Sequence, residues 1–207
     1  MTVIQTIVIP AQAGIQRIDF SWIRMTVGYL VCKIPGMSRI YSFPPITAPD
    51  MRMLILGSMP GEKSLQMQQY YAHPQNAFWK IIGELIGAGR DIGYPERVEK
   101  LKAHGIGLWD VLESCHRPNS SLDSAITDMQ TNDFATLFSA HPSLTHVFFN
   151  GGKAEETYRR FVLRSLPENY GYLRYTRLPS SSPAHAGMSY QRKLEVWRQI
   201  LDHLQAS

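Results

Sequence analysis

Four short stretches rich in apolar and β-forming residues recur along the chain, at residues 52–56, 106–109, 146–149 and 172–178. Each breaks at once into asparagine, aspartate, glycine or proline, the pattern of a short strand closed by a turn. Between them the apolar positions shift to helical spacing. Phe78, Ile81, Ile82 and Leu85 predict a helix from Pro74 to about Ala88. Leu194, Trp197, Ile200, Leu201 and Leu204 predict a last one over residues 190–204. Shorter helices are expected over residues 95–104, over 132–140 with Thr131 or Asn132 as cap, and over 153–164. The proline-rich residues 42–49 are expected to lie extended against the domain. Strands alternating with helices call for right-handed crossovers and a parallel sheet, hence an α/β fold.

That topology carries the strand-end loops to one edge of the sheet, where open α/β sheets place their ligands. The loops are residues 57–76, 110–123, 150–153 and 179–187. They hold neither a phosphate-cradling P-loop nor a metal constellation. Gly57-Ser58-Met59-Pro60-Gly61 is not a nucleophile elbow, because its serine stands in the second position. The loops do offer side-chain amides, hydroxyls, aromatics and prolines, which can hydrogen-bond a base edge and stack on its face.

Composition narrows the field. The chain of 207 residues is 44% hydrophobic and 18% charged, enough for one globular domain. Its two cysteines, Cys32 and Cys115, are too few for a disulfide framework or a four-cysteine cluster, and a reducing cytoplasm fits them. The whole net charge of +4 lies in residues 151–207, with nine Lys and Arg against five Asp and Glu; the first 150 balance at twelve each. A basic carboxyl third suits a phosphate-rich partner. The first 36 residues show no sustained periodicity. Their apolar piece, residues 25–32, is too short to span a bilayer, and no signal-peptide frame surrounds it. Residues 8–16 resemble a peptide produced when bacterial intergenic repeats are translated by mistake, and Met37 makes a natural alternative start. Residues 1–36 are therefore read as a non-functional or misassigned extension, and 38–205 as the domain.

Taken in order, four blocks carry a resemblance: Gly57-Ser58-Met59-Pro60-Gly61; residues 71–79, Tyr-Ala-His-Pro-Gln-Asn-Ala-Phe-Trp; Asn150; and residues 178–185, Leu-Pro-Ser-Ser-Ser-Pro-Ala-His. Together they resemble the uracil-DNA glycosylase superfamily, most closely its hypoxanthine-DNA (deoxyinosine) branch, over roughly residues 38–204. The segment around Asn76 also resembles the mismatch-specific uracil glycosylases. The resemblance implies a three-layer α-β-α sandwich around a central four-stranded parallel sheet. It implies a monofunctional enzyme that flips a deaminated base out of DNA and hydrolyses its N-glycosidic bond. It implies no cofactor or metal, DNA as partner, no membrane, and action as a monomer. The chain departs from the best-known branches at Met59, where they carry an Asp or Asn that positions the water. A thioether can neither accept nor donate a hydrogen bond usefully.

Asn76 is accordingly the expected catalytic amide, matching the asparagine of the hypoxanthine branch; its other reading is a local hydrogen-bonder in the first turn of a helix. The resemblance makes Tyr71 the aromatic that stacks on the flipped base, with rim packing as the alternative. It makes Asn150 the reader of the base edge, against an Asn chosen for its turn. Ser58 joins these as a base contact. Gly57 and Gly61 would present backbone N–H groups to the sugar-phosphate. Ser180, Ser181, Ser182 and His185 would form the loop that enters the minor groove, and Lys153 would meet a phosphate. His73 is read as structural, Arg117 and Asp123 as pocket wall or as a pair, and Phe78, Trp79, Trp109 and Trp197 as core. Rival readings keep the chemistry but prefer uracil or xanthine, make the domain a non-catalytic DNA binder, or give Ser58 a hydrolase role.

Overall fold

The computed structural model describes residues 39–117 and 127–204. Expectations for residues 1–36, for Cys32 and for Asp123 fall outside the described residues. In chain order the strands are β1 (Arg39–Tyr41), β2 (Met53–Gly57), β3 (Ile106–Asp110), β4 (Leu112–His116), β5 (Thr127–Thr131), β6 (His146–Asn150) and β7 (Arg174–Leu178). The helices are α1 (Glu62–Met67), α2 (Phe78–Ile86), α3 (Tyr94–Ala103), α4 (Phe134–Ala140), α5 (Gly152–Thr157) and α6 (Tyr190–Trp197).

The four expected strands form one parallel sheet in the order β3-β2-β6-β7. All five residues of β2 are buried, because both faces of the strand are covered. Met53 and Ile55 point into one apolar layer with α2, α3 and α6, where Phe78, Trp79 and Trp197 are also buried. Leu54 and Leu56 point into the opposite layer with α4 and α5, beside Trp109, Phe134, Phe138, Phe149 and Tyr158. Burying each such side chain contributes about 1.5–3 kcal/mol, so β2 anchors both apolar layers at once.

The position of the site follows from this order. From β2 the chain moves outward to β3, then returns across β2 to β6 and continues outward to β7. The winding reverses between β2 and β6, so a crevice opens at their carboxyl ends, Gly57 and Asn150.

Several elements differ from expectation. Residues 113–117, read as irregular loop, lie largely in β4, which pairs antiparallel with β1 and β5 in a second sheet. The sequences of β4 and β5 are too polar and their pairing too irregular to show an alternating pattern. A short helix, α1, sits within the polar first loop. Helix α2 begins at Phe78 rather than Pro74, because Pro74 and Gln75 form a turn and Asn76 Oδ1 accepts from the Phe78 amide at 2.9 Å. Asp133, not Thr131 or Asn132, caps α4, accepting from the amide and hydroxyl of Thr136. After α5 the helix widens to a π-turn at Tyr158–Val162, and α6 tightens to a 3-10 turn at Arg198–His203.

Candidate active site

At the reversal point lies an open cavity of about 380 Å³. All eleven expected site residues line it: Gly57, Ser58, Gly61, Tyr71, Asn76, Asn150, Lys153, Ser180, Ser181, Ser182 and His185. Met59, His73 and Asp110 line it as well.

Gly57 ends β2 with its Cα against two side chains. A Cβ there would run into Asp110 Oδ1 and stand 3.1 Å from Tyr71 Oη. Its carbonyl accepts from the Val111 amide. Gly57 is therefore buried wall, needed because its neighbours leave no room for a side chain, rather than a donor on the surface. Gly61 is the reverse case: a Cβ there meets nothing within 4 Å. Ser58 is nearly buried, and its carbonyl accepts from the Leu112 amide. Met59 turns into a small apolar cluster with Leu112 and Cys115, so it adds no polar group to the cavity. Arg117 is buried and donates from Nη2 to the Pro60 carbonyl, holding the outer turn of the motif.

Tyr71 adopts a left-handed backbone conformation, φ 54°, which non-glycine residues enter only when their surroundings hold them there. One face of its ring stacks on Phe78 at 4.0 Å and 20°. Any base it met would have to use the other face. Asn76 combines both of its readings. Its Oδ1 is bonded to the Phe78 amide at the start of α2, and it also lines the cavity, where the two Nδ2 hydrogens remain available as donors.

Asn150, at the end of β6, donates from Nδ2 to Ser181 Oγ and accepts at Oδ1 from the Ser181 amide, each at 2.8 Å. One edge of the carboxamide is thus engaged within the protein. One N–H and one lone pair remain, fewer than the full donor–acceptor edge expected for base reading. Ser181 is only 1% exposed, and its carbonyl accepts from the Ala77 amide at 2.9 Å. It is the internal joint between β6, the site loop and the last loop, which corrects the expectation of a DNA contact. Ser180 packs against Gly151, whose φ of 102° and lack of a Cβ permit the approach. Ser180 Oγ accepts from the Ser182 amide, and Ser182 Oγ from the Ala184 amide, so the loop is folded by its own hydroxyls. His185 is exposed, and its carbonyl accepts from Lys193 Nζ at 2.8 Å. Burial lowers the Lys193 ammonium from its ordinary value. Lys153 is half-buried, with Glu156 at 3.7 Å.

Three contributors carried no sequence signal strong enough to name them. Asp110 is 3% exposed and ends β3 against Gly57 and Tyr71. Its negative charge adds to burial in raising the Tyr70 phenol well above its ordinary range. Lys193 reads as an ordinary helix lysine. Arg90 reads as an ordinary loop arginine.

Among the described residues no three His, Cys, Asp or Glu side chains gather as metal ligands, and no helix is long and apolar enough to cross a membrane.

The model of the uracil DNA glycosylase superfamily matches residues 44–205. A hypoxanthine DNA glycosylase from Methanosarcina acetivorans is 38% identical over 162 residues, 78% of this chain and 97% of that protein. One from Methanosarcina barkeri is 43% identical over 115 residues, 55% of this chain and 72% of that protein. A solution NMR structure described as a candidate uracil DNA glycosylase from Methanosarcina acetivorans superposes with a TM-score of 0.67 at 38% identity, covering 81% of this chain and 99% of that one.

Proposed function

The chain belongs to the uracil DNA glycosylase superfamily, and within it we propose that this protein is a DNA-deoxyinosine glycosylase, hydrolysing the N-glycosidic bond of a flipped-out hypoxanthine. The observation that carries the reading is the meeting of Tyr71, Asn76 and Asn150 with residues 180–185 in one cavity, in a chain whose relatives at 38% and 43% identity are named for hypoxanthine. A cavity of about 380 Å³ accommodates a base and part of its sugar.

The reaction breaks the bond between the base nitrogen and the sugar carbon and joins that carbon to a water oxygen. The bonding pair leaves on the base nitrogen, and the water loses one proton as its oxygen joins the sugar carbon. That proton is balanced by one taken up on the departing base, so the products are neutral free hypoxanthine and an abasic site. Positive charge develops on the sugar and negative charge on the departing base. Asn76, with Oδ1 committed to the helix, uses its amide to hold the attacking water beside the sugar. Asn150 offers its remaining N–H to the 6-oxo oxygen of hypoxanthine, an acceptor that adenine lacks. That hydrogen bond strengthens as the base takes up charge. Tyr71 supplies an aromatic wall already braced by Phe78. Gly61 leaves room for the sugar-phosphate, while Ser180, Ser182, His185 and Lys153 meet the flanking strand. The enzyme acts as a monomer in the cytoplasm, with no cofactor, and the activity belongs to residues 38–205. The family match over 44–205 supports that last assignment.

Strand nicking of labelled duplexes carrying hypoxanthine, uracil or xanthine, with alkali added after incubation, tests the proposal. Cleavage mainly at hypoxanthine is the expected result. Uracil as the best substrate would move the specificity, a reading favoured by the description of the superposed NMR structure. DNA binding without any product would make the domain a binding module.

A further inference from the structure

We propose that Arg90 is the positioning residue of this site, holding the segment from Tyr71 to Asn76 in its working shape from outside the cavity; the inference rests on the reading of Tyr71 and Asn76 as site residues. Arg90 lies between α2 and α3, distant in sequence from the segment it touches. The two hydrogens of a single nitrogen, Nη2, are shared among the carbonyls of His73 at 2.7 Å, Tyr71 at 3.3 Å and Asn76 at 3.4 Å. Hydrogen bonds from a guanidinium are charge-assisted and stronger than neutral ones. Here they gather carbonyls from both ends and the middle of one segment.

That segment needs such a hold. Tyr71 sits at φ 54°, a conformation its own side chain disfavours. Within the segment the bonds are local, Asn76 N to His73 O and Gln75 N to His73 Nδ1. Other elements reach it too, among them Ser64 Oγ, which accepts from the Ala72 amide, Ser181 O at neighbouring Ala77, and the Phe78 ring stacked on Tyr71. Arg90 adds a cation that ties the Tyr71 and Asn76 carbonyls to one point.

The loop is built to deliver it. Gly87 closes α2 at φ 70° and turns the chain back. Gly89 then lies so close to Gly83 that a Cβ on Gly83 would stand 2.7 Å from the Gly89 Cα. This close approach lays the loop along α2 and brings Arg90 beside the turn that Asn76 makes before the helix. Arg90 is exposed, so the residue is not a core element whose loss unfolds the domain.

The test uses the full chain with Arg90→Ala and Arg90→Lys. Excision from a hypoxanthine duplex is followed at saturating enzyme, with duplex affinity and backbone amide exchange over residues 71–77 of the free protein alongside. Arg90→Ala is expected to slow excision between about tenfold and about a hundredfold with affinity little changed, the pattern of a misplaced catalytic group. Arg90→Lys is expected to recover part of the loss, since an ammonium restores charge but not the planar fork. Exchange at Asn76 and Ala77 is expected to quicken in Arg90→Ala, and Asn76→Ala combined with it should be no slower than Asn76→Ala alone. An unchanged rate at saturation with weaker, less salt-sensitive binding would make Arg90 a phosphate contact and overturn the proposal. So would unchanged exchange. Should the wild-type chain excise none of the bases, the site reading fails by itself. The exchange comparison still decides whether Arg90 holds the segment.

Discussion

Asn150 and Ser181 grip one another through both ends of a carboxamide, Nδ2 to the hydroxyl and Oδ1 from the backbone amide, each at 2.8 Å. A backbone N–H can only donate, so it fixes which end of the amide is oxygen, and hence where the remaining Nδ2 hydrogen goes. Holding the loop and reading the base are therefore separable. Asn150→Asp keeps acceptors for both Ser181 groups, because the hydroxyl can donate as readily as accept. It removes the N–H and sets a negative charge before the base oxygen. Its thermal midpoint is expected near wild type, with excision of hypoxanthine slowed by about a hundredfold, the scale for losing one donor to a developing anion. Asn150→Ala should lose excision and also about 1–3 kcal/mol of stability, because the Ser181 N–H is left buried without its acceptor. Equal stability losses in the two variants would count against the division of roles.

Asn76 is open to the same dissection. Its bond to the Phe78 amide, two residues on, is an Asx turn just before α2, which a serine hydroxyl can also make, though more weakly, and alanine cannot. Asn76→Ser should therefore keep the bond to Phe78 N and most of the stability while losing the amide donors. Single-turnover excision is expected to fall by about a hundredfold or more in both Asn76→Ser and Asn76→Ala, with lesion binding intact. Near-normal excision by Asn76→Ser would return Asn76 to the role of a local hydrogen-bonder alone.

Much of this was legible in the chain, for definite physical reasons. The runs at β2, β3 and β6 are apolar because helices cover both faces of the sheet, and turn residues end them at the crevice. That sufficed to bring Tyr71, Asn76, Asn150 and the serine loop to one edge. What stayed hidden depends on partners distant in sequence. Ser181 looks like any loop serine until Asn150 and Ala77 close on it. Arg90 looks like a solvated cation until the approach of Gly83 and Gly89 fixes its direction. The sheet of β1, β4 and β5 escaped because strands half-covered and polar carry little periodicity.

Two glycines of the first motif should respond in opposite ways. Alanine at Gly57 drives a methyl into a buried carboxylate at the end of a central strand, where neither partner can swing clear. Overpacking of this kind costs about 1–3 kcal/mol, and it would also push Tyr71 out of place. Gly57→Ala is expected to lower the thermal midpoint and excision together. Alanine at Gly61 meets open space, so stability should change little. If the sugar-phosphate passes there, duplex affinity falls in Gly61→Ala while the excision rate of bound substrate holds. A Gly61→Ala protein that binds normally would remove that contact from the proposal.

At the opposite end of β6 from the cavity, His146 lies against His203 at 3.7 Å between ring centroids, tilted by 31°, and shares a 2.9 Å hydrogen bond with Thr145 Oγ1. Burial lowers its imidazole below the ordinary value, and the neighbouring His203 and Arg174 lower it further. The folded protein thus takes up the proton less readily than the unfolded chain, whose His146 titrates near about 6.5. Stability from the neutral ring is fully present above that unfolded value. As pH falls through it toward the lower folded value, the unfolded state binds more protons and the stability is lost. Thermal midpoints measured between pH 7.5 and pH 5 should fall less steeply in His146→Gln, which cannot titrate. In His203→Phe, which keeps a ring against His146 but removes one source of the shift, the slope should be intermediate. Three parallel curves would mean that the pair contributes nothing to the acid sensitivity of the fold.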